Sequence, residues 1–155
     1  MRDEEVEFVE EPDVGWVPLS GHEIAFKSAS DLLRIVPTAF ATDTSSYYRG
    51  IRLGISVRAG PFSGNFPGSI YLGDLQKFAE SLASLCASIE GSADFVSSPH
   101  PFRLQFTGTH TGAVAIDGEI WDFLNRNRLL VRFDLDQTFL PPILSSVRRL
   151  IQDCS

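Results

Sequence analysis

The chain has 155 residues, of which 43% are hydrophobic and 21% are charged, and its formal net charge is −7. This balance is typical of one globular domain, and a chain of this length buries enough surface to fold without disulfides or metal. No apolar run approaches the roughly 20 residues that a membrane span needs. The acidic N-terminus is opposite in charge to a signal or transit peptide. We therefore expect a cytoplasmic protein that does not contact a membrane.

The negative charge is concentrated at the N-terminus. Residues 1–13 hold seven acids and one base, a charge of −6, whereas the other 142 residues hold 13 acids and 12 bases, a charge of −1. Such an arm repels nucleic acid and favours a basic partner, although it can also be a solubilising terminus without a partner. We predict an acidic arm over residues 1–18 and a single domain over 19–155. The candidate partner-binding acids of the arm are Glu4, Glu5, Glu7, Glu10, Glu11 and Asp13.

Short strands dominate the region before residue 72. Trp16 is the one large apolar residue of the arm's end and is expected to pack the arm against the domain. Residues 22–27 and 32–36 are strand candidates, and Pro37 ends the second of them or places it at a sheet edge. Residues 51–58 alternate strictly between apolar and polar, the pattern of a half-buried antiparallel strand.

An amphipathic helix is predicted over residues 73–90. Its apolar residues follow the 3.6-residue period and are Leu75, Phe78, Ala79, Leu82, Leu85, Cys86 and Ile89. A helix with one wide apolar stripe must bury that stripe against another apolar surface. The flanking segments alternate like strands, so we expect a sheet to cover it. Cys86 lies on the stripe as a small core residue, and with Cys154 it does not make a disulfide framework.

The second half repeats the arrangement of strands followed by a helix. Four alternating segments precede a helix predicted over residues 137–152, which Asp136 or Thr138 can cap. Gly112 is expected in a hairpin turn, and Asp117-Gly118 signals a turn or a bulge. The whole pattern predicts an α+β fold, with an antiparallel sheet of about six to eight strands and both helices packed on one face.

The sequence contains few residues in catalytic or metal-binding arrangements. His22, His100 and His110 lack the spacing of a metal site, and no phosphate-binding glycine motif occurs. Ser97 to His100 is a Pro-flanked loop without the nucleophile-elbow motif. We therefore predict no catalytic residue, no metal and no cofactor. The few bases near Tyr47 and Tyr48 do not make a nucleic-acid site.

Three carboxylates leave an enzymatic alternative open. Asp134 and Asp136 are two residues apart on a predicted strand and point to the same face. With Asp122 they can form a carboxylate cluster, while the plainer interpretation is a solvated sheet face and a helix cap.

Residues 102–151 resemble the C-terminal half of WapI-type immunity proteins and related bacterial families of unknown function. The shared pattern is a strand, a glycine-bearing turn and an alternating return strand, which are carried by Gly112, Val114, Ile116, Gly118 and Ile120. It continues with a strand that ends in Asp136-Gln137-Thr138-x-Leu140 before a terminal helix. The earlier helix DLQKFAESLASL also fits the family's order.

The resemblance implies an intracellular, non-catalytic protein that neutralises a contact-dependent toxin, often a nuclease. Our first hypothesis is therefore a bacterial immunity protein that binds a basic cognate toxin, as a monomer or homodimer. Asp122 and Asp134 on the open sheet face join the arm's acids as candidate partner-binding residues. The alternatives are a small-ligand binding module and an enzyme that uses the sheet-face carboxylates.

Overall fold

The computed structural model describes residues 15–42, 47–88, 90–97, 102–121 and 127–155. Residues 1–14 lie outside this description, so it does not place the acidic residues of the arm. Ile89, His100 and Asp122 also fall outside it.

The first five strands form one antiparallel sheet, the N-terminal sheet. They are β1 (Trp16–Pro18), β2 (Ile24–Ser28), β3 (Asp31–Ala41), β4 (Gly50–Ala59) and β5 (Phe62–Tyr71). The order is β1-β3-β4-β5, and β2 pairs with another part of β3. Residues 16–18, which the sequence analysis assigns to the arm, are thus part of the sheet.

The alternation in β4 sets which side of this sheet is buried. Ile51, Leu53, Ile55 and Val57 are all buried, as the sequence pattern predicts. Pro37 does not end β3. It lies between the part of β3 that pairs with β2 and the part that pairs with β1, so only β4 pairs with β3 at this residue, as at a sheet edge. The register of β3 on β4 shifts between Pro37 and Ala39, and this irregularity accommodates a residue that has no N–H to donate.

Four later strands form a second antiparallel sheet, the C-terminal sheet. They are β6 (Ser92–Val96), β7 (Phe102–Gly108), β8 (Ala113–Trp121) and β9 (Arg128–Asp136), in that spatial order. Gly112 has φ of +87° in the β7–β8 hairpin, as expected. Gly118 neither turns nor bulges the chain. A Cβ there would lie 2.8 Å from the Val131 side chain, so glycine permits close packing instead.

Each sheet is followed by a helix. Helix α1 spans Leu72–Ser88, and helix α2 spans Leu140–Cys154 after a 3₁₀ turn at Gln137–Phe139. The Thr138 N–H donates to Asp136 Oδ1 at 2.9 Å, which confirms one of the predicted caps. Pro141 and Pro142 occupy the first turn of α2, where a missing N–H costs nothing.

One core joins the two sheets and the helices. The Phe106 ring of the C-terminal sheet lies 5.1 Å from the Phe26 ring of the N-terminal sheet and 5.4 Å from the Phe78 ring of α1. Helix α2 neighbours both α1 and β2. The α+β class, antiparallel pairing and two helices are therefore confirmed. The sequence analysis expected one sheet of six to eight strands, whereas the nine strands of the described residues form two sheets. Helix α1 separates the two sheets along the chain, and each sheet buries one face.

The arm is expected to contribute little to folding. Deleting residues 1–13 removes no described strand, and exposed ion pairs contribute only about 0–1 kcal/mol each. We expect the thermal unfolding midpoint to stay within a few degrees of that of the intact chain. A fall of many degrees in a calorimetric scan would instead make the arm an integral part of the fold.

The buried thiol of Cys154 should make stability fall at high pH. Burial raises the pKa of Cys154 from 9.0 to about 11. The thiol's contribution is therefore complete below pH 9 and is lost as the pH rises towards 11, because the unfolded chain ionises first. The free energy of unfolding measured in urea should fall over that pH interval by more in the parent than in Cys154→Ala. Equal losses in the two proteins would contradict this assignment.

Candidate partner-binding surface

The outer face of the C-terminal sheet, which points away from the core, is rich in charged side chains. We call it the acidic face. Its charged residues, which alternate with buried apolar ones along β6 to β9, are Asp94, Arg103, Asp117, Glu119, Arg128, Arg132, Asp134 and Asp136. Five acids and three arginines leave two negative charges in excess.

Three ion pairs cross the strands of the acidic face. Arg132 Nε lies 3.5 Å from Asp117 Oδ1, and Arg103 Nη2 lies 3.6 Å from Asp94 Oδ1. Arg128 Nη1 lies 3.7 Å from Glu119 Oε2. All these side chains are at least one-third exposed, so each pair adds only about 0–1 kcal/mol to stability. The charges therefore remain accessible to a partner.

Asp134 differs from Asp94, Asp117 and Glu119 on this surface. It is exposed on β9, opposite Ala115, and makes no ion pair with any residue that the structure describes. A basic group on a partner can therefore pair with Asp134 without displacing an arginine that the structure describes.

Apolar side chains complete the acidic face. Val96, Arg103, Glu119 and Leu130 lie in register as one row across all four strands. Val96 is 42% exposed and Leu130 is 60% exposed. The exposed apolar groups supply contact area for a protein partner, and the arginines beside them are of a type enriched at protein–protein interfaces.

The predicted carboxylates have different environments. Asp134 and Asp136 share a face of β9, as expected, but Asp136 caps the following turn. Hydrogen bonds from Thr138 lower the pKa of Asp136 below its usual value. Asp122 and the arm lie outside the described residues. Within the part of the chain that is described, no group of three His, Cys, Asp or Glu side chains is arranged to hold a metal ion.

The sequence analysis missed most of the acidic face. Asp94, Asp117 and Glu119 are separated from Asp134 along the chain, and only strand register brings them onto one surface. The available signal was the alternation of charged and apolar residues in three separate segments, which identifies a solvent face but not its neighbours.

His22, for which the sequence predicts no metal site, has a structural role. The ring of His22 is buried, and its Nε2 lies 2.8 Å from Asp153 Oδ2 at the end of α2. This contact ties the start of the N-terminal sheet to the last helix. His22 is thus placed to hold the fold together.

The surface depressions suit small ligands poorly. One of about 550 Å³ lies between α1 and β6 and is lined by Asp74, Lys77 and Asp94 among others. Another of about 290 Å³ lies beside the half-exposed Phe139. Both are open to solvent, unlike the enclosed apolar pockets in which small ligands bury most of their surface.

An α+β domain of two antiparallel sheets and two helices, with an open, charged sheet face, is a scaffold suited to binding another macromolecule. The model of the WapI-like immunity protein family matches residues 27–154. The chain therefore belongs to the WapI-like immunity protein family. The match confirms the resemblance and extends it to Lys27, so that it includes β3, β4 and β5. None of the described helices is long and apolar enough to cross a membrane.

Two solved structures of plant proteins have a similar fold. The plant transcriptional regulator PBF-2 is similar with a TM-score of 0.57 and 10% identity, covering 87% of this chain and 90% of its own. WHY3 from Arabidopsis thaliana has a TM-score of 0.57 and 11% identity, covering 89% and 90% respectively. At such identities the similarity shows the fold alone. A comparison with curated proteins gives no match.

Proposed function

We propose that this protein is a cytoplasmic bacterial immunity protein that binds a cognate toxin, with a nuclease domain as its target, and blocks it without catalysis. The observation that carries the proposal is the family match over residues 27–154. The match includes β3 to β9 and both helices, so the family's role applies to most of the described domain.

The acidic face is the proposed contact surface for the toxin. Nucleases bind polyanionic substrates, so their active-site surfaces are rich in basic residues. Carboxylates at fixed positions on a sheet complement such a surface and disfavour partners of the wrong charge. Asp134 makes no ion pair with a described residue and is the first residue that we assign to the contact.

The sheet also favours inhibition by occlusion. Its backbone is fixed by interstrand hydrogen bonds, and its inner face is anchored by buried Phe102, Leu104 and Phe106. A rigid surface loses little conformational entropy on binding, so more of the interaction energy remains for affinity. In this mechanism the toxin keeps its catalytic residues intact, and its substrate is excluded.

Co-expression tests the proposal. The C-terminal domain of a toxin encoded beside this gene should stop growth when expressed alone, and this protein should restore growth. Gel filtration should show a stoichiometric complex containing the immunity protein as a monomer or homodimer. If the toxin domain kills equally in its presence and no complex forms, the immunity role is refuted.

A further inference from the structure

The outer face of the N-terminal sheet has the opposite charge to the acidic face. Lys27, Arg34, Arg52 and Arg58 project from it, and Glu23 forms an ion pair with Arg34. Four bases and one acid leave an excess of three positive charges on a chain whose net charge is −7. We call this surface the basic face.

The described chain begins on the basic face. The Trp16 ring lies over the Arg52 guanidinium, 3.8 Å from ring centroid to Cζ. This contact confirms that Trp16 packs the end of the arm against the domain. Gly15 has φ of +85°, and its carbonyl accepts a hydrogen bond from the Thr42 N–H at 2.7 Å. The chain therefore turns where it enters β1, and the preceding arm can return over the same face.

The arm is long enough to cross this face. Fourteen residues precede Gly15 and extend to about 46 Å, whereas the ten residues of β4 span about 33 Å. The charges are complementary, since residues 1–13 hold seven acids and one base. A tethered segment also has a high local concentration, on the order of millimolar, so weak ion pairs suffice to hold it.

An apolar strip on the basic face matches the arm's apolar residues. Val36, Gly54 and Pro67 lie in register across three strands and line a shallow depression of about 460 Å³. The arm is anchored at Trp16, which pairs with Ala41 of β3. Val36 is five residues from Ala41 along the same strand, so the strip begins about 16 Å from Trp16. Phe8 and Val9 precede Gly15 by seven and six residues, which reach about 20 Å when extended.

We propose that the acidic N-terminal arm lies across the basic face in the free protein. Its carboxylates face Lys27, Arg34, Arg52 and Arg58, and its apolar residues cover the strip formed by Val36, Gly54 and Pro67. The basic partner that the arm's charge favours is thus part of the same chain. The arm neutralises the basic face and leaves the acidic face open, and this arrangement does not depend on the identity of any toxin.

Zero-length cross-linking tests the proposal because the chain has only two lysines, Lys27 and Lys77. A carbodiimide joins a carboxylate to an amine that it touches. The arm is anchored at Trp16, which pairs with Ala41 of β3, whereas Lys27 pairs with Leu32 of the same strand. The two partners are nine residues apart along β3, about 30 Å, so acids from Asp3 to Glu7 can reach Lys27. Glu11 and Asp13 are too close to Gly15 to do so. Mass spectrometry should therefore find Lys27 joined to residues 3–7 in monomeric protein.

Lys77 is the internal control, because it lies on α1 near Tyr47 and lines the depression beside β6 of the C-terminal sheet. It should not be joined to the arm. The Lys27 cross-link should fall severalfold in 1 M salt, where charges are screened over about 3 Å. It should also fall severalfold in the double variant Arg34→Gln, Arg58→Gln. The matched variant Arg103→Gln, Arg132→Gln on the acidic face should leave its yield unchanged.

Three outcomes would overturn the proposal. Absence of the Lys27 cross-link in folded protein would remove the arm from the basic face. Cross-links found only between two molecules would assign the face to a second copy of the chain. Binding of intact protein to heparin at physiological salt, without an arm cross-link, would assign the face to a polyanion. Circular dichroism of each variant establishes that the fold is retained.

Discussion

Replacing Leu82 by alanine should lower the free energy of unfolding by about 2–5 kcal/mol, the range for a leucine deleted from a packed core. Leu82 is 0% exposed and lies in the cluster that joins both sheets and both helices. The truncation removes buried apolar surface and leaves a cavity, because the neighbouring elements are fixed by their own hydrogen bonds. Urea unfolding followed by circular dichroism measures the loss.

The same substitution at Leu130 is the matched control. That side chain is 60% exposed on β9, so Leu130→Ala should change the free energy of unfolding by no more than about 0.5 kcal/mol. A small effect at Leu82, or equal effects at the two positions, would show that α1 does not cover the common core.

Local sequence patterns predict most of the helices and strands, because apolar residues recur with the period of the element whose one face is buried. The stripe of Leu75, Phe78, Leu82 and Leu85 identifies α1, and all four are buried. Pro141 and Pro142 are compatible with the helical pattern of α2, because the first turn of a helix does not need their N–H groups.

The division into two sheets was not predictable from these patterns. Alternation reveals that a strand has a buried face but not which strand or sheet covers it. The contact of Phe106 with Phe26 joins residues 80 positions apart, and no local signal encodes that separation. Gly118 is a similar case. Its closeness to Val131 depends on the pairing of β8 with β9, so a glycine required for packing was interpreted as a turn or bulge.

The candidate site shows the same limit. Asp134 was predicted from its position in an alternating strand, and it is exposed on the outer face of β9. The other acids of the acidic face, Asp94 and Asp117 among them, come from other strands, and placing them required the observed register. The basic face was missed for a related reason. Lys27, Arg34 and Arg58 are scattered among acids along the chain, and only pairing of β2, β3 and β4 separates the charges by face.

Opposite charges on the two outer faces define which surface a basic toxin should meet. Reversing two acids on the acidic face, Asp117→Arg with Asp134→Arg, should abolish protection in the co-expression assay. The variant places two positive charges against a basic partner, and like charges brought together at an interface cost several kcal/mol. We therefore expect affinity for the toxin domain to fall by at least about 100-fold.

The matched control reverses two charges on the other face, Lys27→Glu with Arg58→Glu. These residues lie on one cross-strand row of the basic face. Both pairs of substitutions are exposed, so neither should change the free energy of unfolding by more than about 1 kcal/mol. Titration calorimetry with the toxin domain separates binding from folding. The control should protect cells as the parent does. If it fails while the Asp117 and Asp134 variant protects, the toxin binds the basic face, and the acidic face is only a solvated surface.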